Sequence, residues 1–330
     1  MAILGFGLAC AGIGALVGVI ANATSLLMLR AFANGLNACR PSRRADVIFL
    51  LGFAPALIVV SVVGATALPS IMARAGLMLD HCQFHNWLAH VCLDHVSSLP
   101  FWLVALGAVA LSGEAARATR GAIAAIRSHH RLVALERLGS HECSEGFDVR
   151  SVPGAPRLLL AAGLWRRRIV YSGALADHLR RDELLAALSH EAAHLRRRDA
   201  LALALLNLGG LLSGALLTRT FRDAYRAAAE EACDAAAAAE HGGETVARAL
   251  VSASRLQLAF SNGLGFAGHG LSRRVSTLLA MTGRSAPPSR VLPFALALAA
   301  VSGVWVTVFG LDIHHAVEAL LSFTAIAVSG

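Results

Sequence analysis

The chain has 330 residues and a mass of 34.4 kDa, long enough for about two domains. Hydrophobic types make up 56% and charged types 15%, with a mean hydropathy of +0.61, which excludes a disordered chain and an ordinary soluble globule. The formal charge of +8 rests wholly on arginine, because the sequence contains no lysine. These arginines flank apolar runs, so membrane topology accounts for them and direct nucleic-acid binding is not expected.

In chain order, the first apolar run is Ala2–Leu29, which lacks a basic leader and ends at Arg30 as an anchor does, unlike a secretory signal peptide. Its glycines at 5, 7, 12, 14 and 18 predict close helix packing. The second run, Val47–Ala73, contains Pro55 and Pro69 and is expected to kink. Val96–Gly113 and Val291–Leu311 complete a set of four, each able to supply the roughly 20 apolar residues of a crossing. Arg30, Arg40, Arg43 and Arg44 fill the first connection, Arg117, Arg120, Arg127 and Arg131 follow the third run, and Arg284 and Arg290 precede the fourth. The second connection holds only Arg74, with Asp80 and Asp94. The arginine bias therefore predicts both termini outside and residues 117–290 in the cytoplasm. Three parts follow: three transmembrane helices in 1–116 with an outer loop at 74–95, a cytoplasmic block at 117–290, and a fourth transmembrane helix with a short external tail at 291–330.

Among the six cysteines, too few for a disulfide scaffold, Cys82 and Cys92 lie in the outer stretch 81–95, with His81, His85, His90 and His95. His314 and His315 are expected on the same side. Three readings stand for this loop: a Cys82–Cys92 disulfide, a zinc or softer-metal site, or neither.

Chemistry concentrates in the cytoplasmic block. From Asp177 or Asp182 onward, leucine and alanine at helical spacing predict one helix through His190, Glu191 and His194. His190 and His194 stand one turn apart on one face and can take two corners of a zinc ion. Glu191, next to the first histidine, reaches a water on that ion better than the ion itself, and zinc brings the pKa of such a water to about 7. A third ligand is available in Glu230-Glu231-Ala232-Cys233-Asp234. Glu230 and Asp234 share a helical face, so Glu230 can close the zinc shell while Asp234 holds the free nitrogen of a histidine; Glu231 is the fallback ligand. Cys233 reads as a small packed residue. The apolar run Ala200–Thr218 lies between these motifs and cannot cross the membrane without separating Glu230 from the histidines, so it is expected to bend near Asn207 and Gly209-Gly210.

The run Arg168–Leu175, then Asp182-Glu183-Leu184, His190–His194 with Arg197-Arg198-Asp199, and Glu230–Asp234 resembles the BlaR/MecR-type antirepressor metallopeptidases. These are integral-membrane gluzincins related to HtpX and the CAAX prenyl proteases. The resemblance covers residues 150–240 by motif and the whole chain by its order of three spans, protease and one span. It implies a mainly α polytopic protein with a gluzincin-type domain containing a small β element, in the bacterial cytoplasmic membrane. It makes His190, His194 and Glu230 zinc ligands, Glu191 the base, and Arg168–Ser172 a strand that pairs with an extended substrate. The implied substrate is a cytoplasmic protein, a repressor of the BlaI winged-helix type, cleaved in response to an external signal. Membrane lipid and a second copy of the chain are the other expected partners.

Two departures qualify the resemblance. Only Asp312–Gly330 follows the last run, which does not support β-lactam sensing, and a single run separates the histidines from Glu230, unlike the two passes of HtpX and the prenyl proteases. The segment His269–Val275 loosely resembles a histidine–arginine feature of HtpX-like proteases but lacks its prolines, so Arg273 and Arg274 are expected at a solvated or lipid-facing surface. Two alternatives are an HtpX-like quality-control protease and a non-catalytic zinc-binding membrane sensor. The intact Glu191 speaks against the second, because zinc binding does not require it.

Overall fold

The computed structural model describes residues 2–77, 92–93, 100–137, 139–144, 147–153, 159–163, 167–214, 218–258, 269–280 and 291–329. Of the outer segment 81–95 only Cys92 and Leu93 are included, so the Cys82–Cys92 pairing and a metal site in that loop lie outside the described residues.

The apolar runs form long helices: α1 (Ala2–Ala31), a short α2 (Ala33–Ala38), α3 (Pro41–Arg74), α4 (Phe101–Arg137) and α11 (Val291–Ser329). Within these, Ile3–Ala31, Pro41–Arg74 and Phe101–His130 are long and apolar enough to cross a membrane. Ala300–Val306 and Val308–Leu321 meet at 50° and make a fourth crossing if the bent pair is one span. Pro41 opens α3, where its missing N–H costs nothing, and α3 continues as one helix through Pro55 and Pro69. Helix α4 does not stop at Gly113, where the third span was expected to end; an alanine-rich sequence and the Glu114–Arg117 ion pair carry it on to Arg137.

The stretch after Asp312, expected as a short tail, continues α11. It remains helical to Ser329, and His314 and Glu318 are buried rather than free in solvent. His314 Nδ1 donates to the carbonyl of Thr66 on α3 at 2.9 Å, and its Nε2 lies 2.9 Å from Glu318 Oε1.

Close approach at glycine governs the helix packing. A Cβ on Gly107 of α4 would sit 1.8 Å from the carbonyl oxygen of Leu8, and one on Gly12 of α1 would sit 2.3 Å from that of Leu103. In apolar surroundings such backbone contact supplies packing that the hydrophobic effect does not.

The site is carried by β1 (Ser140–Ser144), β2 (Phe147–Val152), β3 (Leu159–Ala162), β4 (Arg168–Ser172), α5 (Gly173–His178), α6 (Arg181–Arg197), α7 (Asp199–Ser213), α8 (Thr218–His241), α9 (Gly243–Leu258) and α10 (His269–Ala280). The sheet order is β1-β2-β4-β3, with β2 parallel to β4 and the other two pairs antiparallel. Strand β4 is therefore interior, bonded on both sides, and has no edge left for a substrate. This corrects the expectation for Arg168–Ser172; the free edge nearest α6 belongs to β3. One face of the sheet packs on α6 through Val149, Ile169, Tyr171, Ala192 and Leu195.

Of the two starts expected for the histidine helix, the one at Asp182 holds to within a residue, while the Asp177 region is a separate short helix and Asp199 already belongs to the next one. Helix α5 ends at His178, α6 begins at Arg181 with the Glu183 side chain accepting from the Arg180 N–H at 3.2 Å, and Arg198 separates α6 from α7. Arg198 is left-handed, with φ 58° and ψ 39°. Helix α7 does not run on to Thr218: it ends at Ser213, whose carbonyl accepts from Asn22 Nδ2 of α1 at 2.9 Å. It packs with α3 and α8 in a core of Ala45, Ile48, Phe49, Ala202, Leu206, Phe221, Tyr225, Ala228 and Ala229.

Gly107→Val is expected to force α1 and α4 apart, destabilising the protein by about 1–3 kcal/mol. Gly7→Val, where a Cβ meets nothing within 4 Å, should leave stability unchanged. Thermal unfolding of both variants in detergent checks the contrast; equal melting temperatures would refute it.

Candidate metal centre

Helices α6 and α8 cross so that their polar faces meet. His190 Nε2 lies 3.5 Å from Glu230 Oε2, and His194 Nε2 lies 3.6 Å from Glu230 Oε1. The ligand atoms of all three residues fall within 4.8 Å of one another. Zinc bonds of about 2.0–2.1 Å in tetrahedral geometry place neighbouring ligand atoms about 3.3 Å apart, so the cluster fits a zinc ion closely.

The other ring nitrogens support the same assignment. His190 Nδ1 lies 3.0 Å from Asp234 Oδ1, and His194 Nδ1 lies 2.7 Å from Asp199 Oδ2. Each imidazole is thus tethered through Nδ1 to a carboxylate, which leaves both Nε2 atoms to converge. Carboxylate-tethered imidazoles are the usual metal-ligand arrangement, since the tether fixes tautomer and ring plane. The left-handed Arg198 makes the second tether possible by turning the chain so that Asp199, at the start of α7, comes back to His194 on α6.

Asp199 is buried and well supported. It accepts from Tyr225 Oη at 2.7 Å and from the Cys233 thiol at 3.7 Å, and Arg197 Nε stands 3.3 Å from its other side. Burial alone would raise its pKa, but the hydrogen bond from His194 and the charge of Arg197 outweigh that and hold it low. Burial beside Asp199 pushes the Tyr225 hydroxyl and the Cys233 thiol upward, so both stay protonated donors. His194, Asp199 and Cys233 also form a compact cluster, yet a protonated thiol already donating to Asp199 suits a support for the first site better than a second ligand set.

Glu230 and Asp234 keep their charge in the same way. Burial opposes ionisation in each, but His190 holds Glu230 down to about 2, and Arg274 with His190 holds Asp234 down to about 2. Burial would lower the pKa of His190; its bonds to Asp234 and Glu230 instead raise it to about 10.

Arg274 is not at the solvated or lipid-facing surface expected for it. Its Nε and Nη2 make paired bonds to Asp234 at 2.6 and 2.7 Å, and its Nη1 stands 3.1 Å from Glu230. Sequence reasoning missed Arg274 and Tyr225 because their partners lie 40 and 26 positions away. Asp199 offered one signal, a carboxylate five residues after His194. Glu231, the fallback ligand, lies outside the His190, His194 and Glu230 cluster: its carboxylate pairs with Arg44 of α3 and with Arg273 at 3.3 Å.

Glu191 follows His190 and its carboxylate faces the edge strand, where Oε2 accepts from the Ala161 N–H at 2.7 Å. Two cavities meet at Glu191 and Glu230. One, of about 180 Å³, has aliphatic walls from Leu175, Ala187, Val246, Ala249, Leu250 and Ala253 and is suited to an apolar side chain. The other, of about 270 Å³, is bordered by Gly163, Arg167 and Arg198. Together they form a trough past the metal cluster alongside β3.

Residues 160–269 match the sequence profile of Peptidase family M48. The matched third of the chain begins in β3 and runs to the first residue of α10, so it includes His190, Glu191, His194 and Glu230. No curated protein and no solved structure matches the chain. The match and the apolar helices are consistent with a membrane-embedded metallopeptidase, and peptidases of this family are metal-dependent, usually on zinc.

Glu230→Ala is expected to weaken zinc binding far more than Glu231→Ala, because only the first removes an atom of the cluster. Chelator competition on the purified chain in detergent measures both. Equal loss, or a greater loss in Glu231→Ala, would reassign the ligand.

Proposed function

We propose that this chain is a polytopic membrane zinc endopeptidase in which His190, His194 and Glu230 hold the metal and Glu191 acts as the general base. The carrying observation is the convergence of the two tethered imidazoles and Glu230 within 4.8 Å, in a segment that matches Peptidase family M48. Zinc held there supplies positive charge that polarises a peptide carbonyl and acidifies a water. With the metal bound, the Glu191 carboxylate would accept the proton of the attacking water and pass it to the leaving amine. Asp234 and Asp199 keep the imidazoles oriented and balance the added charge. The outer edge of β3 is where an extended peptide adds as a further strand, taking over the Ala161 N–H that Glu191 now accepts from.

The proposed substrate is a cytoplasmic protein, a winged-helix repressor of the BlaI type, cleaved when an external signal reaches the membrane helices. Two features support this over the HtpX-like arrangement: the resemblance in span order, and a single 15-residue helix, α7, between the histidine helix and α8. On this reading residues 117–290 face the cytoplasm of a bacterium, and a reporter fused after Thr218 reports cytoplasm. A second reading, an HtpX-like quality-control protease, is favoured by Arg274, which lies in the segment that loosely resembles those enzymes and which binds Asp234 and Glu230.

Glu191→Gln is expected to keep one zinc per chain while lowering peptide hydrolysis about 10²–10⁴-fold. Metal analysis and cleavage of a purified repressor and of a misfolded membrane protein, each with wild type and variant, test the proposal. Cleavage of the repressor alone supports the antirepressor reading, and cleavage of the misfolded protein alone supports the quality-control reading. Undiminished turnover in Glu191→Gln would overturn the mechanism. A zinc-loaded wild type that cleaves neither would leave the non-catalytic sensor.

A further inference from the structure

Glu231 does not join the ligand cluster, yet it is buried and both of its oxygens are engaged. Oε2 pairs with Arg44, itself buried, in the first turn of the apolar helix α3; Oε1 lies 3.3 Å from Arg273 of α10. One carboxylate on the site helix is thus gripped from a membrane-type span on one side and from α10 on the other.

The position of that grip matters. Glu230 and Glu231 are neighbours on α8, about 100° apart around its axis. Fixing Glu231 against α3 therefore fixes the rotation of α8, and with it the direction in which Glu230 projects. A carboxylate carried about 5–6 Å from the helix axis moves about 2 Å for a 20° rotation, roughly a full zinc–ligand bond. The rest of the contact keeps α3 close enough to act. A Cβ on Gly52 would stand 2.8 Å from the Phe221 side chain and 2.9 Å from that of Leu206. Phe49 meets Tyr225 edge-on with centroids 6.3 Å apart, and Tyr225 in turn bonds Asp199, the tether of His194. At its far end α3 receives the His314 hydrogen bond on the Thr66 carbonyl. Helix α3 thus touches both the buried His314–Glu318 pair and the support of the metal cluster.

We propose that Arg44 is a positioning residue for the metal centre: by gripping Glu231 it sets the rotation of α8 that turns Glu230 toward His190 and His194, so that movement of α3 is converted into a change of metal affinity. This rests on the zinc reading above and adds to it the route by which the membrane helices act on the site.

The test uses the full chain in detergent, with zinc affinity read by chelator competition and ligand geometry by the visible spectrum of the cobalt(II) form. Arg44→Met is expected to weaken zinc binding about 10–100-fold, the usual effect of removing support behind a ligand, and to alter the cobalt spectrum. Glu231→Gln should cause a loss of similar kind. The double variant should be no worse than the poorer single one, because both changes break the same contact. Arg44→Lys, which retains the charge, should recover most of the affinity. Wild-type affinity in Arg44→Met, or losses that add independently in the double variant, would overturn the proposal. If Arg44→Met does not accumulate in folded form, Glu231→Gln decides alone: unchanged affinity and spectrum overturn it. A wild-type chain that takes up no zinc overturns the metal site itself, and this proposal with it. Zinc-replete wild type with an unaffected Arg44→Met overturns the positioning role only.

Discussion

The crossing of α6 over α8 is the constraint on which the rest of this structure depends. Two histidines one turn apart supply only one side of a metal shell, and the third ligand must come from another helix to within a few ångströms. Helical geometry lets Glu230 and Asp234 answer His190 from successive turns of α8, so one helix contributes both a ligand atom and the tether of the opposite imidazole. Alanine makes the approach possible. Ala186 of α6 and Ala237 of α8 are fully buried in one cluster, with side chains too small to hold the axes apart.

Bringing so many ionisable groups together carries a desolvation cost that only dense pairing offsets. The arrangement here alternates sign. Asp199 sits between His194 and Arg197, Asp234 between His190 and Arg274, and Glu231 between Arg44 and Arg273. Asp199 and Asp234 thereby stay ionised although buried, and the anionic character that a cationic metal needs is maintained. Tyr225 and Cys233 add neutral donors where no further charge could be accommodated.

The apolar helices are part of this construction rather than a separate anchor. Helix α3 shares one hydrophobic core with α7 and α8, and α1 takes the end of α7 through Asn22. Helix α7, apolar but only 15 residues long, lies against this bundle and stops at Ser213, and α8 packs on α6. The candidate metal site is thus built directly against membrane-type helices.

Much of this was legible in the sequence because it depends on local repetition. The apolar runs, the one-turn spacing of His190 and His194, the adjacent Glu191, and the four-residue offset of Glu230 and Asp234 are short-range patterns, and helix periodicity converts them directly into shared faces. What the sequence could not decide was set by contacts between distant segments. That β4 is interior and β3 the free edge depends on which strands pair, and the Leu-Leu-Ala-Ala run of β3 has little intrinsic strand character to announce it. The break at Arg198 costs backbone strain and is chosen because it delivers Asp199 to His194. Arg44 and Arg274 read as a topology signal and a solvated charge, and only the tertiary fold turned them inward, because the buried carboxylates of α8 demanded cations and these were within reach; Arg273 stays exposed, as the sequence suggested, and meets Glu231 from the surface.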